Sequence, residues 1–253
     1  MGKNYREEMM ALELGRVDVV EVPAEQAHRA SLDGKRIEGS SPVELLALVF
    51  AHEARTPVEK LLREALALSV ERGSIRSVLL QGTGQPAGGI LPNWNSGYGF
   101  VFPTDADLTR ARHQRDQVRS APAWTLGYDP TDPLARLLAE RIALNAKDAG
   151  VSLQPTSAAN ADLRVMRIPL VSADPWLALE DAAAAAGVPM AKSKGSAVED
   201  LYAAEQAALA TDRIIPLMHL PAYHAAGSSL RNWSVRPDGS LNLADAWLGS
   251  TKP

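Results

Sequence analysis

Cysteine is absent from the 253 residues. Its absence removes disulfides, thiolate metal sites and cysteine nucleophiles, but it does not fix the compartment. Aromatics are scarce, at 5% of the chain. Positive charge is not in excess: 26 Lys and Arg face 30 Asp and Glu, for a formal net charge of -4. An electrostatic nucleic-acid binder needs a basic surface, so no nucleic-acid partner is expected. No apolar run approaches the roughly 18 residues that span a membrane. The first residues, Met1-Gly2-Lys3-Asn4-Tyr5-Arg6-Glu7-Glu8, lack the apolar core of a signal peptide. Catalytic patterns are missing too. There is no Gly-x-Ser-x-Gly elbow, and His52-Glu53 has no second histidine four residues on. His219 and His224 are close in sequence, but a packing or surface role outweighs a metal, since no third ligand lies nearby. No cofactor and no metal are expected.

What is present is an ordinary globular composition, 46% hydrophobic and 22% charged. The local signals alternate between helix and strand. Residues 5–14 suit a helix ending at Gly15, Val17–Val22 a strand, and Pro23 a helix start. Leu45–Phe50 is a short apolar run, as expected of a buried strand. Thr56-Pro57-Val58-Glu59 has capping-box spacing with proline at the first helical position. The stripe that follows is Val58, Leu61, Leu62, Ala65, Leu66 and Ser69, with Gly73 as the stop. Gly82–Gly89 is glycine-rich but lacks the Gly-Lys-Ser/Thr of a phosphate loop, so it is expected to be a loop of close backbone approach. Asp105–Arg119 suits a solvated helix.

Further on, Pro122–Tyr128, a helix capped by Asp132 with Leu134, Leu137, Leu138 and Ile142 on its stripe, and Val151–Pro155 form a βαβ unit. Asp162–Arg167 is another strand. Asp174-Pro175 opens a helix that Gly187 closes. Ser196–Glu199 has a second capping-box spacing, leading to a stripe of Val198, Leu201, Tyr202, Ala208 and Leu209. A short strand, Ile214–Leu217, precedes a Tyr-containing connector and a tail with Asn232-Trp233, Asp238-Gly239 and Trp247-Leu248.

That final order resembles the C-terminal end of the extracytoplasmic solute-binding proteins of ABC importers, in family 5, the oligopeptide, dipeptide and nickel-binding type. ALELGRVDVVEVPAEQ (residues 11–26), LLREALALSVERGSIRSVLLQGTGQPAGGILP (residues 61–92) and the βαβ unit resemble successive segments of the same family. Within the second, Arg63, Ala65, Leu66, Arg72, Gly82, Pro86, Gly88 and Pro92 fall where the family has similar residues, and Glu71 replaces the usual Asp. The resemblance covers most of residues 8–248. It implies an α/β fold: a periplasmic-binding-protein type II-like lobe, with a mixed sheet flanked by helices. Residues 1–218 would be the second, C-terminal lobe. Residues 219–253 would be a return segment that packs on a first lobe absent from this chain. The implied role is solute binding, not catalysis. The implied partners are a peptide or other small solute, an ABC permease and an ATPase, and the implied location is periplasmic or extracytoplasmic.

The resemblance also points to ligand-facing positions. LPNWNSGYGFVFP (residues 91–103) resembles a loop beside the family's ligand cleft, which places Trp94, Asn95 and Tyr98 there. In peptide-binding members, an aspartate four residues before the proline of the Asp-Pro helix start holds the ligand's α-ammonium. A tryptophan lies three residues before that aspartate. This chain has Val171 and Ile168 at those positions, and valine offers no carboxylate to a buried ammonium. Arg167 and Asp174 complete the expected set, with Arg167 facing an anionic ligand. The alternatives are a stand-alone α/β ligand-sensing domain, cytoplasmic in that case, a small hydrolase, or a degenerate lobe that binds nothing.

Overall fold

The computed structural model describes residues 5–190 and 197–249. Its centre is a pair of long antiparallel strands. β1 (Val19–Val22) follows α1 (Tyr5–Glu13), and α2 (Ala24–Leu32) leads to β2 (Arg36–Phe50). α3 (Pro57–Ser69) and a short α4 (Arg72–Ser74) come next, the latter running into a π-turn over Ile75–Leu79. β3 (Gln85–Pro86), α5 (Asn93–Ser96) and α6 (Leu108–Asp116) precede the βαβ unit of β4 (Ala123–Gly127), α7 (Pro133–Asp148) and β5 (Ser152–Thr156). β6 (Leu163–Pro169), α8 (Pro175–Ala185), α9 (Val198–Leu209) and β7 (Ile214–Ala226) complete the lobe. The sheet order is β1-β7-β2-β6-β4-β5, with β3 also on β7. β4 runs parallel to both β5 and β6, and the other pairs are antiparallel. The expected mixed α/β lobe is therefore present.

Local capping signals explain the helix starts. The Asp132 carboxylate accepts from the amides of Leu134 and Ala135, and Asp174 does so from Trp176 and Leu177. Each caps a helix that opens with proline. Thr56 accepts from the Glu59 amide at 3.1 Å, but Glu59 reaches back to the Arg55 amide rather than to Thr56. Ser196 lies outside the described residues, and the N-cap position of α9 is held by Ala197.

The two sheet faces bury separate cores. Leu46, Leu48 and Phe50 of β2 join Leu163 and Val165 of β6 under α3 and α7. Leu45, Ala47 and Val49 join Ile168 under α8 and α9. This is the period-2 alternation of a strand buried on both faces.

Several expectations need correction. The central strands are much longer than Leu45–Phe50 and Ile214–Leu217. β7 passes unbroken through residue 218 and absorbs the expected connector. Pro216 lies inside the expected strand, whereas Pro221 reads locally as a strand breaker. In the sheet they sit beside register shifts, Pro221 opposite Pro42 and Pro216 opposite Ala47. A missing ladder donor is tolerated at such irregularities. Gly73 does not end α3; the chain leaves the helix at Val70, whose backbone is extended, and Gly73 lies inside α4. Val58, Leu137 and Val198 point to solvent rather than joining their stripes.

After β7, two small ladders form, β8 (Leu230–Arg231) with β11 (Trp247–Leu248) and β9 (Ser234–Val235) with β10 (Leu241–Asn242). Trp233 is buried there beneath the Arg36 guanidinium. Among the described residues, no helix is long and apolar enough to cross a membrane.

Candidate ligand-binding site

The sequence-nominated residues gather at one end of the sheet, where β2 passes Pro42–Glu44 and β6 ends. On the face of α8 and α9, the short α5 presents Trp94 and Asn95. The Trp94 indole N–H donates to the Pro42 carbonyl at 2.7 Å, and the Asn95 amide donates to the Ser172 carbonyl at 3.0 Å. Trp94 stays partly exposed, and Val171, next to Ser172, is 69% exposed. Asp174 stands just beyond as the cap of α8. Trp94, Asn95, Val171 and Asp174 thus share one rim. Tyr98 does not face it, because its hydroxyl turns inward to Glu205 and its ring packs edge-on against Tyr202.

On the opposite face, the apolar rows of β2 and β6 end in charge. Arg167 follows Val165, and Glu44 precedes Leu46. Arg167 meets Glu44 at 2.7 Å, Asp132 at 2.9 Å and Glu25 at 3.7 Å. Its guanidinium is therefore engaged by three carboxylates, which leaves little of it for an anionic ligand. Burial works against the Arg167 charge, yet Glu44 and Asp132 more than offset that and hold its pKa above the ordinary value. Burial also raises the Glu44 pKa, partly opposed by Arg167. Asp132 serves twice, as helix cap through one oxygen and as ion-pair partner through the other.

The rim rests on a buried polar clamp. Glu205 of α9 is fully buried and accepts from the Ile90 and Leu91 amides and the Tyr98 hydroxyl. Desolvation pushes its pKa up, against the pull of those donors. His219 of β7 lies 3.0 Å from the Ile90 carbonyl through Nε2. A carbonyl only accepts, so Nε2 carries the proton. Burial lowers the His219 pKa to about 4, so the ring is neutral near pH 7. Together, Glu205 and His219 hold Gly89–Leu91, the segment that leads into Trp94. A Cβ at Gly89 would stand 2.7 Å from the Glu205 carboxylate, and one at Gly88 2.6 Å from the Phe102 carbonyl. The glycine-rich stretch is thus the close-approach loop expected of it. A cavity of about 260 Å³ opens beside it, lined in part by Gln85, Asn93, Phe100, Thr104 and His219.

Glu205 carries a sequence signal of its own. It lies between Leu201 and Ala208 on the buried stripe of α9, where a carboxylate has to find partners. The ion cluster around Arg167 had no such signal, since its members come from four separate elements. Among the described residues, no group of three or more His, Asp or Glu could hold a metal ion.

No family model matches the sequence, and no curated protein matches it. Solved structures do. The pheromone receptor PrgZ, described with its mode of peptide binding, superposes with a TM-score of 0.74 at 14% identity, over 98% of this chain and 57% of its own. The ABC transporter substrate-binding protein CtaP from Listeria monocytogenes gives 0.75 at 16% identity, over 99% and 59%. NikA from Staphylococcus aureus, in complex with Ni(L-His)2, gives 0.71 at 15% identity, over 93% and 58%. The structural neighbours are solute-binding proteins of the family 5 ABC-transporter type. At these identities they establish the fold. The chain spans less than two thirds of the length of each.

Proposed function

We propose that this chain is a solute-binding lobe of an ABC importer, capturing a peptide or other small solute for a membrane permease and its ATPase outside the cytoplasm. The supporting observation is a fold shared with substrate-binding proteins over nearly the whole chain, combined with an exposed aromatic and polar rim at one end of the sheet. In this reading, the lobe boundary expected at 218 falls instead after β7, at Ala226, and the segment beyond it packs against a first lobe of the same protein. The role is binding without catalysis, and no cofactor takes part.

Within the rim, Trp94 contributes apolar area and Asn95 a polar group, while Val171 contributes an apolar surface in place of an acid. A solute that needs its ammonium neutralised finds no carboxylate at residue 171. An uncharged or apolar end suits the rim better.

The test is fractionation of the native cell with an antibody to this chain, combined with calorimetric titration of the purified full-length protein with short peptides. An envelope or periplasmic signal, with binding weakened by Trp94→Ala, is the expected result. A cytosolic signal with no peptide bound overturns the transport reading and favours a cytoplasmic sensor.

A further inference from the structure

A second cavity lies at the other end of the same strands. It measures about 360 Å³ and is bounded by α3, the 101–103 loop, the end of α9 and the start of β7. Ile214 pairs with Val49, whereas the rim meets β2 at Pro42. Seven strand residues separate the two, about 23 Å at the usual rise. The cavity is therefore distinct from the proposed solute site.

Its walls are mostly apolar, from Leu68, Val101, Phe102, Leu209 and Ile214. Two lining residues carry buried polar atoms that have no hydrogen-bond partner in the protein, Arg63 Nε and Asp212 Oδ2. Arg63 is 2% exposed. Its guanidinium lies 4.0 Å from the Phe50 ring centre and donates through Nη1 to the carbonyls of His52 and Asp212. Glu59 stands 3.9 Å from Nη2. Asp212 Oδ2 has only Lys60, at 3.6 Å. The unmatched Arg63 Nε disfavours the folded state until something satisfies it, and Asp212 Oδ2, held only by the long Lys60 ion pair, has room for a closer donor. Burial also moves both groups toward neutrality, lowering the Arg63 pKa and raising that of Asp212. The other charged residues at the wall are Arg110, on the exposed face of α6, and Glu64, which accepts from Gln114. The lining is thus balanced, with two cations and two anions.

A charge-balanced, apolar cavity with one cationic donor beside one anionic acceptor fits a ligand that has both charges next to an apolar body. We infer that this cavity binds a free apolar α-amino acid, its carboxylate on Arg63, its ammonium on Asp212 and its side chain against Leu68, Val101 and Phe102. The unpaired Arg63 Nε offers a carboxylate one charge-assisted hydrogen bond, since Nη1 is taken by the His52 and Asp212 carbonyls. The volume lies at the small end of the ligand-pocket range.

The test titrates the purified full chain with L-phenylalanine, then with phenylacetate and with 2-phenylethylamine, each of which lacks one charged group. L-Phenylalanine should saturate a single site with a dissociation constant on the order of 0.1–1 mM. Each analogue should bind at least about tenfold more weakly. Asp212 has a left-handed backbone, with φ of 52°, a conformation that asparagine tolerates. Asp212→Asn should therefore fold and lose at least about tenfold in affinity. Ala67→Phe, which fills the cavity, should abolish binding, whereas Trp94→Ala should leave it unchanged. Absence of saturation below about 10 mM, equal binding of phenylacetate, or loss with Trp94→Ala but not with Asp212→Asn would each overturn the assignment. The last outcome would place the amino acid at the rim instead.

Discussion

Residues 61–92 and 171–174 serve the molecule differently. In the first, Leu62, Ala65, Leu66, Ile75, Leu80, Ala87, Ile90 and Leu91 are all buried. Two buried arginines stitch the segment to the sheet. Arg63 binds the carbonyls of His52 and Asp212. Arg72 holds the Pro216 carbonyl through two nitrogens, at 2.9 and 3.0 Å. That carbonyl belongs to a proline beside a register shift, so the arginine supplies donors where the ladder is irregular. In the second stretch, Val171, Ala173 and Asp174 lie on the surface, and Val171 touches little that depends on its being valine. Substitutions in the first stretch should therefore act on the fold, and those at Val171 and Ala173 on whatever docks there.

Breaking the first stretch should give the largest effect. Arg72→Ala leaves the Pro216 carbonyl unpaired and opens a void beside Phe102. It should cost about 3–5 kcal/mol of stability, which thermal unfolding would register as a fall of roughly 10 °C. A fall below about 3 °C would dissolve the distinction between the two stretches.

His219 belongs with the buried scaffold as well, and its effect depends on pH. Burial lowers its pKa to about 4 from the ordinary value of 6.5. Between those values the unfolded chain binds more protons than the folded one. Its contribution is therefore complete above pH 6.5 and lost as pH falls toward 4, up to about 3 kcal/mol in all. Denaturant midpoints at pH 7 and pH 4.5, compared between wild type and His219→Gln, should show a steeper acid loss in wild type. Parallel curves would mean that the ring is more accessible than its position implies.

Smaller still is Trp94→Ala, which removes one hydrogen bond from a partly exposed ring. It should cost about 1 kcal/mol of stability while weakening solute binding about tenfold or more, as calorimetry would show. The least effect on the fold is expected from Val171→Asp, within about 0.5 kcal/mol. This variant sharpens the comparison, because it installs a carboxylate at the rim. A dipeptide with a free amino terminus should then bind more tightly than its N-acetylated form, and equal binding would show that residue 171 does not face the ligand.

Much of the scaffold was legible where the determining contacts are local. Asp132-Pro133 and Asp174-Pro175 marked helix starts to the residue, because a cap acts on amides two and three positions away. The βαβ unit was legible from spacing alone. The two long strands were legible only in part, at Leu45–Phe50 and Ile214–Leu217; their extensions were not, since Pro42 and Pro221 break the local strand pattern and are tolerated beside register shifts between β2 and β7. Of the nominated site, Trp94, Asn95, Val171 and Asp174 come together at one rim. Tyr98 turns inward because Glu205 needs a donor. Arg167 is taken up by Glu25, Glu44 and Asp132.

The amino-acid order alone determined the proline-led helix starts at Asp132 and Asp174, most of the apolar stripes, the exclusion of cysteine chemistry and an acidic balance unsuited to nucleic acid. Tertiary structure decided which charges are engaged and which buried polar atoms are left without partners. These depend on groups brought together from distant parts of the chain, as Arg63 meets Asp212 and Glu205 meets Ile90, and no local pattern encodes such a meeting.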